Sequence, residues 1–457
     1  MKTYEEAVGF LDRFINYEKR MERLVYNEKN LDLKGFERFL GQWNNPHHHL
    51  NFIHIAGTKG KGSTAAMLEA ALIHAGYRVG LYTSPHLNTY LERFRIEGRR
   101  ITEKRFVSYM NNLSSHLEAD SPSLSGNFRT VFELLTAMAF LFFRDENVDI
   151  AIMETGLGGR LDATNVIVPK ISVITALGLD HTRILGEKIT DIAREKGGII
   201  KNGAPLVFAS QEESTREDVL PVLQNICKTW QSPLIEAGNV VEIKERLMIH
   251  EGSNYRRISG QKIKFRLEKD DYEVDLPLLG RHQAENCRTA IAALWELSHT
   301  GFPVYLPKAF QGISKTRWKG RFEILPVAPV VILDGAHCPL SAKALVKALN
   351  EYFPDQPHVF LLGILKGKDA AGISREIAKD PRCSHIISFT SPSPRGCGAE
   401  ELAAVIREVY PAVEIAITPE KGADMSYSYA KMNGVIVVTG SLYHLDMMKK
   451  LFTKRKQ

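Results

Sequence analysis

The chain has 457 residues, of which 44% are hydrophobic and 25% are charged. These fractions are those of an average soluble globular protein, and they exclude a disordered chain, a collagen and a coiled coil. The 59 basic residues exceed the 53 acidic ones by only +6, a balance that allows an anionic small-molecule substrate and does not require nucleic acid.

The first half of the chain alternates between predicted helices and strands. Residues 4–40 are predicted as amphipathic helix, and the apolar strand at residues 52–56 ends in glycines and leads into another helix. The later strands of this half are predicted at residues 78–83, 149–153, 171–176 and 205–209, and the later helices at residues 103–117, 128–143 and 187–201. This alternation is typical of a parallel sheet whose two faces are covered by helices.

The end of the first half has a different pattern. Residues 234–276 have short, charged, strand-like runs, which predict antiparallel hairpins on the sheet edge, and a helix is predicted at residues 282–297. Residues 299–307 have the Gly and Pro content of a linker. Beyond them, strands alternate with helices again, at residues 330–333, 359–364, 385–389, 413–417 and 435–438. We therefore predict an α/β fold of two domains, a larger one with a mostly parallel sheet over residues 1–298 and a smaller Rossmann-like one over residues 299–457.

A glycine-rich loop is the sharpest local feature. The sequence IAGTKGKGS at residues 55–63 follows a predicted strand and opens a predicted helix. Its glycines, Gly57, Gly60 and Gly62, allow the backbone to turn tightly and to point N–H groups inward. Those donors and the helix N-terminus suit the oxygens of a triphosphate. The larger domain is therefore predicted to bind ATP through this phosphate loop.

Lysine and hydroxyl side chains complete the predicted phosphate loop. Lys61 would neutralise the β- and γ-phosphates, and Ser63 or Thr64 would reach Mg²⁺. The loop departs from the G-x-x-x-x-G-K-[ST] pattern, because Gly62 separates Lys61 from Ser63. Ile55 also occupies the position of the first glycine. A glycine-rich turn with an unrelated lysine is the alternative, and the strand–loop–helix context favours nucleotide binding.

Three polar residues stand out beyond this loop. Glu154 ends a predicted strand before the glycine-rich sequence TGLGGRLDATN, and a carboxylate at the carboxyl end of a parallel strand suits Mg²⁺. A strand-end surface residue is the alternative for Glu154, and the glycines favour function. His181 follows another predicted strand, and Lys196 lies near the end of a predicted helix. Taken alone, His181 is more typical of a structural histidine, and Lys196 is typical of a solvated charge on a helix.

The cysteines and the apolar runs indicate the compartment. The five cysteines are odd in number and none has C-x-x-C spacing, so a disulfide framework and a zinc ribbon are not predicted and a reducing cytoplasm is expected. The N-terminus lacks a signal-peptide core. The longest strongly apolar run, residues 131–143, contains Glu133 and is too short to span a bilayer, which takes about 20 residues. We expect a cytoplasmic protein without a membrane partner.

A series of sequence motifs resembles those of a known family. In chain order they are GTKGKGS (57–63), YTSPHL (82–87), ETGLGGRLDATN (154–165), GLDHTRILG (178–186), AREKGGIIK (193–201), LGRHQAENCRTAIAAL (279–294), WKGRFE (318–323), LDGAHCP (333–339), GILKGKD (363–369) and TGSLY (439–443). Together they resemble folylpolyglutamate synthase/dihydrofolate synthase, a branch of the Mur ligase superfamily, over about residues 50–445. The larger domain then resembles the central ATP-binding domain of Mur ligases and the smaller one their C-terminal ligase domain.

The resemblance implies an ATP-dependent acid–amino-acid ligase of folate biosynthesis and one-carbon metabolism. ATP phosphorylates a substrate carboxylate, and the amino group of L-glutamate then attacks the acyl phosphate, which releases ADP and phosphate. The implied substrates are ATP, L-glutamate, reduced folates and dihydropteroate, and Mg²⁺ is the implied metal. We expect a monomer that interacts with neither nucleic acid nor membrane.

The resemblance also implies roles for individual residues of this sequence. The residues expected to bind ATP are Gly57, Thr58, Gly60, Lys61, Gly62, Ser63, Thr64, Asn286, Arg321 and Asp334, with Arg321 reaching over from the second domain. The expected metal ligands are Ser84, Glu154, His181 and Lys196, the last as a carbamate, which turns a cation into an anion. The substrate positions are Phe132 and Asp162 for the pterin, and His337 and Ser441 near the glutamate. The expected catalytic residues are Lys61, Lys196, Asp334 and His337.

The sequence departs from the family pattern at three places. Lys59 replaces the usual Asn in the phosphate loop and adds positive charge there. Cys338 replaces the usual Asn beside the expected glutamate site, and a polar contact there is in doubt. Gly396-Cys397 stands where the family more often has Ala. None of these changes removes a residue that the chemistry requires.

Two other functions remain as alternatives. One is a Mur-type ligase that acts on another carboxylate, such as a cell-wall substrate. The short helical segment before the phosphate loop argues against it, because cell-wall ligases carry an extra α/β domain there, according to the resemblance. The other is a non-catalytic ATP switch, against which Arg321 argues, because it supplies a cation from the second domain. No aromatic residues interleave with a basic stripe, so nucleic acid is disfavoured.

Overall fold

The computed structural model of the chain describes residues 1–18, 24–119, 129–250 and 258–454. Its helices are α1 (Tyr4–Leu11), α2 (Leu33–Gly41), α3 (Lys61–Ala75), α4 (Glu103–Ala119), α5 (Val131–Asp145), α6 (Thr182–Leu185), α7 (Ile189–Gly197), α8 (Glu213–Thr229), α9 (Ala237–Val240), α10 (Arg281–His299), α11 (Leu306–Ile313), α12 (Pro339–Tyr352), α13 (Ala370–Ala378), α14 (Ala399–Arg407), α15 (Pro419–Ala430) and α16 (Leu445–Lys454).

The strands alternate with these helices, as the sequence predicts. They are β1 (Phe52–Ala56), β2 (Val79–Tyr82), β3 (Phe94–Ile96), β4 (Arg99–Arg100), β5 (Ile150–Glu154), β6 (Ile171–Ile174), β7 (Leu206–Phe208), β8 (Leu234–Glu236), β9 (Val241–His250), β10 (Ile258–Leu267), β11 (Asp270–Leu276), β12 (Glu323–Leu325), β13 (Val330–Leu333), β14 (His358–Leu362), β15 (Cys383–Phe389), β16 (Glu414–Ala416) and β17 (Val435–Thr439).

Contacts between residues divide the chain into two units. The first unit is Met1–Pro277 with Ala284–Thr316, and the second is Leu278–Gln283 with Arg317–Gln457. The predicted linker leads into α11, which packs on α3: a Cβ atom on Gly312 of α11 would lie 2.6 Å from the carbonyl oxygen of Ala70. For this reason residues 299–316 group with the first unit. The division into folding domains at residue 298 stays a prediction.

An eight-stranded sheet forms the centre of the first unit, in the order β4-β3-β2-β5-β1-β6-β7-β8. The strands from β2 to β8 in that order pair in parallel, and β3 and β4 add antiparallel pairs at one edge. The central strand β1 precedes the phosphate loop, and its neighbours β5 and β6 precede the loops of Glu154 and His181. Since the carboxyl ends of parallel strands share one edge of a sheet, these three loops lie at the same edge.

The predicted hairpins of residues 234–276 differ from the structure in one respect. β8 joins the parallel sheet at its edge, next to β7. The antiparallel strands β9, β10 and β11 form a separate three-stranded sheet. The alternating burial of β10 explains this arrangement, because Ile263, Phe265 and Leu267 are buried on one face while the residues between them are more exposed. That face packs on α11, where the ring of Phe310 lies 5.4 Å from that of Phe265.

The prediction of a continuous helix over residues 4–40 is wrong in its middle. Within the described residues, α1 ends at Leu11 and α2 begins only at Leu33. Ile15 instead forms a parallel bridge with Thr130, and the Asp32 side chain caps α2 by accepting from the amide of Gly35 at 2.9 Å. Apolar spacing alone does not reveal such a break, because both helices bury the same kind of face.

One apolar cluster packs the N-terminal helices, α4 and α5 against the first sheet. Phe36, Phe106 and Phe140 are fully buried in it. α5 begins with a capping box: the Thr130 amide donates to the Glu133 carboxylate at 2.6 Å, and the Glu133 amide donates to the Thr130 hydroxyl at 3.2 Å. Such a cap is worth about 1 kcal/mol. It fixes the start of the helix that presents Phe132.

A six-stranded sheet forms the centre of the second unit, in the order β12-β13-β17-β14-β15-β16. Its strands pair in parallel except for β12, which adds an antiparallel edge. β13 and β17 are neighbours, so the loops that follow them, with Asp334 and Ser441, start side by side. The predicted fold class, α/β with a mostly parallel first sheet and a smaller α/β second domain, is confirmed. In the described part of the chain, no helix has the length and apolar character that a membrane crossing would need.

Candidate active site

The phosphate loop connects β1 to α3. Gly60 is the N-cap of α3 and has a φ of +91°, a left-handed conformation that favours glycine. A Cβ atom on Gly60 would lie 2.3 Å from Oδ1 of Asn286, so the loop and α10 approach each other at this residue. The helix then begins with Lys61, and Ser63 and Thr64 are buried in its first turn. The structure thus brings the predicted ATP-binding residues 57–64 together with Asn286.

Two lysines converge on this loop. Nζ of Lys61 donates to the carbonyl oxygen of Gly57 at 3.1 Å, and Nζ of Lys196 donates to the same oxygen at 2.9 Å. Burial, together with the nearby charge of Lys61, lowers the pKa of Lys196 to about 7. Burial also lowers the pKa of Lys61, although the Glu154 carboxylate, 4.0 Å away, opposes that shift. The phosphate loop is therefore next to a buried amine, that of Lys196, whose pKa is close to neutral pH.

Backbone hydrogen bonds fasten the phosphate loop to the segment after β6. The amides of Thr58 and Lys59 both donate to the carbonyl oxygen of Ala176, at 2.9 and 3.0 Å. The Thr58 hydroxyl donates to the carbonyl oxygen of Gly178 at 3.1 Å. Nζ of Lys59 forms an ion pair with Asp180 at 3.0 Å. The loop that carries His181 is thereby held against the phosphate loop.

Two of the predicted metal ligands, Glu154 and Ser84, present side-chain oxygens, which Mg²⁺ prefers. Glu154 is 4% exposed, and its Oε2 accepts from the amide of Ser84 at 3.2 Å. The Thr64 hydroxyl oxygen is buried without a hydrogen-bond partner among the described residues. His181 has a left-handed φ of +54°, and its amide donates to Asp180 at 3.0 Å. This donor set fits a Mg²⁺ ion.

The described residues contain no group of three or more His, Cys, Asp or Glu side chains that could hold a metal ion. Mg²⁺ commonly takes one or two carboxylates and completes its shell with water and substrate phosphates. A single buried carboxylate such as Glu154, beside a hydroxyl and a phosphate loop, is consistent with that mode of binding.

A pocket in the first unit contains both predicted pterin residues. Aromatic and charged side chains contribute to its lining: Tyr17, Glu18, Tyr26, Arg93, Phe132 and Asp162. A Cβ atom on Gly156 would lie 2.7 Å from the ring of Phe132, so only glycine allows this close approach. The pocket therefore has a flat aromatic wall beside a buried carboxylate.

Asp162 accepts four hydrogen bonds from its own chain. Oδ2 accepts from the amides of Gly156 and Leu157, at 2.8 and 2.9 Å, and Oδ1 accepts from the amide and the hydroxyl of Thr164, at 3.0 and 2.6 Å. Burial raises the pKa of Asp162, although these hydrogen bonds oppose the shift. Because a carboxylate has about four acceptor positions, its oxygens are already used to shape the loop at residues 156–162.

A buried histidine continues this network. Nε2 of His54 lies 2.8 Å from the Thr164 hydroxyl, which itself donates to Asp162. The hydroxyl therefore accepts from Nε2, which must carry the proton. Burial lowers the pKa of His54 to about 3, so the ring is neutral. His54 and Thr164 thus fix the orientation of Asp162.

Arg93 and Glu18 line the pocket but were not predicted as site residues from the sequence. The Arg93 guanidinium is 1% exposed and donates to both carboxylate oxygens of Glu18, at 2.8 and 2.5 Å. Its Nε donates to Nδ1 of His86, which lies in the same loop as Ser84, at 3.0 Å. No sequence signal points to this pair, because Glu18 and Arg93 are 75 residues apart.

In the second unit, Asp334 anchors the loop after β13. Oδ2 accepts from the amide of Phe322 and Oδ1 from the amide of Ala336, both at 2.8 Å. Burial raises the pKa of Asp334, although the charge of Arg321 opposes the shift. Nη1 of Arg321 would lie only 2.6 Å from a Cβ atom on Gly335. Asp334 and Arg321 are therefore close neighbours.

His337 and Ser441 lie on adjoining loops of the second unit. Nδ1 of His337 lies 2.8 Å from the carbonyl oxygen of Gly335 and must donate to it. Gly440, next to Ser441, donates from its amide to the carbonyl oxygen of Ala336 at 2.9 Å. The structure thus brings together the four predicted site residues of this unit.

Cys338 is the N-cap of α12. Its amide donates to the Ser341 hydroxyl at 3.1 Å, and its Sγ lies 3.3 Å from the same hydroxyl oxygen. A thiol is a weak hydrogen-bonding group compared with the Asn side chain that this position usually has in the family. Cys338 is therefore expected to cap α12 more weakly than Asn would.

Comparisons with known proteins agree with this architecture. The Mur ligase middle domain matches residues 55–294, and the glutamate ligase domain of Mur ligases matches residues 320–442. The chain is 31% identical to the dihydrofolate synthase/folylpolyglutamate synthase of Bacillus subtilis over 428 residues, which are 92% of this chain and 94% of the relative.

Solved structures have the same fold along nearly the whole chain. Folylpolyglutamate synthase of Mycobacterium tuberculosis, complexed with ADP and AMPPCP, has a TM-score of 0.85 and 28% identity, and the match covers 98% of each chain. A folylpolyglutamate synthase in complex with AMPPCP and folate has a TM-score of 0.79 and 28% identity, with 98% of this chain and 99% of the other covered.

The two sheets, the phosphate loop after β1 and the matched domains define the chain as a Mur ligase, an ATP-dependent amino-acid ligase. Within that class it belongs to the folylpolyglutamate synthase/dihydrofolate synthase family. This confirms the family indicated by the sequence motifs and favours it over a cell-wall ligase or a non-catalytic ATP switch.

Proposed function

We propose that this protein joins L-glutamate to reduced folates and to dihydropteroate, at the expense of ATP. The observation that carries the proposal is the position of the loop after β5. The loop begins at Glu154, which bonds to Ser84 near the lysines of the phosphate loop, and continues into Gly156, which packs on Phe132 in the pocket. One short segment therefore connects the phosphate loop to the pocket that is lined by Phe132 and Asp162.

The chemistry that this arrangement serves has two steps. A carboxylate oxygen of the substrate attacks the γ-phosphorus of ATP, and ADP leaves. The amine of glutamate then attacks the acyl carbon, an amide bond forms, and phosphate leaves while the amine loses a proton. Phosphoryl transfer depends mainly on positioning and on positive charge around the phosphates. Lys61 supplies that charge, and Gly57, Thr58, Gly60, Gly62 and Ser63 supply the backbone of the cradle.

Mg²⁺ would be held by the Glu154 carboxylate, the Ser84 hydroxyl and His181, with Thr64 available as a hydroxyl donor. The buried hydroxyl oxygen of Thr64, which has no hydrogen-bond partner among the described residues, and the buried Glu154 carboxylate support this assignment. The ion would neutralise charge on the phosphate oxygens of ATP.

Lys196 is proposed to act as a carbamate. Only a neutral amine captures CO₂, and the lowered pKa of Lys196, about 7, leaves much of it neutral at physiological pH. The carbamate would add two oxygens, which suit a hard cation such as Mg²⁺. It would also replace one of two neighbouring positive charges on the Gly57 carbonyl with a negative one.

The second unit is proposed to serve the incoming glutamate and the nucleotide. The residues with this role are Arg321, Asp334, His337 and Ser441, and Asn286 of the first unit adds a nucleotide contact. This assignment is supported by the cluster of hydrogen bonds that holds the loops after β13 and β17 together. In this cluster the hydrogen bond from Nδ1 of His337 to the carbonyl oxygen of Gly335 orients the ring.

We propose that the protein acts in the cytoplasm as a monomer on small molecules, without a nucleic acid or membrane partner. All five cysteines are free thiols, as a reducing compartment requires.

The decisive experiment is product analysis by mass spectrometry. The purified protein is incubated with ATP, Mg²⁺ and glutamate, and with dihydropteroate or a reduced folate. We expect a mass increase of one glutamyl residue for dihydropteroate and successive increases for the folate. Phosphate release that does not depend on glutamate, with no new mass, would contradict ligation. Extension of folates without any conversion of dihydropteroate would contradict the second activity alone.

A further inference from the structure

We propose that Lys59 is a second phosphate-binding lysine, which Asp180 holds in place until a nucleotide arrives. This proposal rests on the proposed function, because it takes the loop between β1 and α3 to be the ATP site. Lys59 directly precedes Gly60, the N-cap of α3, and lies two residues before Lys61. Nothing in the mechanism described above uses its charge.

The backbone of Lys59 is already engaged. Its amide donates to the carbonyl oxygen of Ala176 at 3.0 Å, as the Thr58 amide does at 2.9 Å. These two amides therefore do not serve a phosphate. Any part that Lys59 plays in nucleotide binding falls to its ammonium group, which a side chain of four methylenes can move by several ångströms.

Asp180 presents to this ammonium the kind of oxygen that a phosphate would present. Nζ of Lys59 lies 3.0 Å from Oδ2 of Asp180, and the two side chains are only 18% and 14% exposed. The other oxygen, Oδ1, accepts from the amide of His181 at 3.0 Å, so the carboxylate is fixed in orientation. The carboxylate thus stands in for an anionic ligand at the edge of the phosphate loop.

The Lys59 ammonium also acts on the other two lysines of the site. Its charge lowers the pKa of both Lys61 and Lys196, whereas the charge of Asp180 raises the pKa of both, in each case in addition to the larger effect of burial. Three lysines and one aspartate therefore share one electrostatic neighbourhood around the Gly57 carbonyl. A triphosphate that enters it can replace Asp180 as the anionic partner of Lys59, while the Asp180 carboxylate keeps the hydrogen bond from the amide of His181.

The test is nucleotide affinity without a divalent metal. ATP and AMP are titrated by calorimetry in EDTA into the wild type and into the variants Lys59→Gln, Lys59→Met, Lys59→Arg and Asp180→Asn. We expect Lys59→Gln and Lys59→Met to bind ATP roughly tenfold more weakly, the effect of losing a charged hydrogen bond. Their affinity for AMP should stay within twofold. Lys59→Arg should bind ATP like the wild type.

The Asp180→Asn variant separates phosphate binding from a structural role. If Lys59 binds phosphate, removing the competing carboxylate leaves ATP affinity equal or higher. If the ion pair only holds the loop, Asp180→Asn weakens ATP binding as much as Lys59→Gln does, and the proposal is overturned. Unchanged ATP affinity in folded Lys59→Gln or Lys59→Met, as judged by circular dichroism and thermal unfolding, would also overturn it. Wild-type ATP affinity in Lys61→Ala would instead refute the ATP site itself.

Discussion

Lys61 and Lys196 share one hydrogen-bond acceptor, the carbonyl oxygen of Gly57, at 3.1 and 2.9 Å. Two ammonium groups on one carbonyl repel each other, and burial removes the water that would screen them. The amine that loses its proton more easily is Lys196, whose pKa falls to about 7. This relationship explains why one of the two lysines is suited to a chemical modification and the other to phosphate binding.

The proposed carbamate on Lys196 predicts a dependence on CO₂. Lys196→Ala should be nearly inactive, and acetate should restore part of the ligation rate by supplying a carboxylate. Below about pH 7 the amine of Lys196 is protonated and does not react with CO₂. Added bicarbonate should therefore restore the activity of the wild type in CO₂-depleted buffer more fully at pH 8 than at pH 6.5.

A matched control lies on the same helix. Arg194 is exposed and pairs with Asp191 at 2.9 Å, so Arg194→Ala should keep the wild-type rate and show no acetate effect. Wild-type ligation by Lys196→Ala in CO₂-depleted buffer would show that the carbamate has no role.

The phosphate-loop role of Lys61 predicts a loss of both ligation activities. Lys61→Ala should lower the rates with dihydropteroate and with folates by about a hundredfold or more, the usual effect of removing a preorganised charge from the transition state. The fold should persist, because the side chain is partly exposed and makes its hydrogen bond to the loop itself. Circular dichroism and thermal unfolding serve as controls. Normal turnover in this variant would refute the assignment.

The network around Asp162 predicts an effect of Thr164 on pterin binding. Thr164→Val removes the hydroxyl that accepts from His54 and donates to Asp162. It should raise the KM for dihydropteroate about tenfold and cost about 1–3 kcal/mol of stability, since buried groups lose their partners. Thr164→Ser keeps the hydroxyl and should behave like the wild type. Equal KM values for Thr164→Val and Thr164→Ser would show that the network does not position Asp162 for the substrate.

The weak cap of α12 predicts that Cys338→Asn is tolerated. Asn is among the best N-cap residues, so the variant should gain up to about 1 kcal/mol in the free energy of unfolding. The KM for glutamate should stay the same or fall. Urea denaturation and steady-state kinetics measure the two effects, with Cys338→Ala as the control that has no capping group. A large loss of activity in Cys338→Asn would show that this site is built differently from that of the family.

A buried ion pair in the second unit predicts acid sensitivity. Nδ1 of His358 lies 2.7 Å from Oδ2 of Asp380, and its Nε2 lies 3.1 Å from the carbonyl oxygen of Phe353, so both ring nitrogens must donate. Although burial alone would raise it, the hydrogen bonds from His358, Arg382 and Asn350 lower the pKa of Asp380.

The stability that Asp380 contributes is present above its unfolded pKa of about 3.9 and is lost as the pH falls through its lower folded value. Asp380→Asn should cost about 3–5 kcal/mol at pH 7, because it removes one partner of a fully buried pair. The difference from the wild type should shrink at pH 2 in urea titrations. A constant difference between pH 7 and pH 2 would contradict the ion pair.

The sequence alone was sufficient to predict the fold class and the family, and it indicated the loops to which the proposed function assigns the chemistry. Its signals are local: an apolar strand, a glycine turn and a lysine lie within ten residues, and backbone chemistry decides what such a segment can bind. The prediction of one helix over residues 4–40 was wrong because the signal is local: the same apolar spacing occurs on both sides of the break between α1 and α2. The residue roles and the domain boundary at residue 298 stay predictions.

Only the tertiary structure decided which of these residues meet. Lys196 reaches Gly57 across 139 residues, and Arg93 reaches Glu18 across 75. The four donors on Asp162 and the ion pair between Lys59 and Asp180 are likewise known only from the packing. The physical reason is that these contacts depend on strand order and on the burial of polar groups, which a motif does not encode. Burial sets the pKa of Lys196, and strand order brings its amine to the phosphate loop.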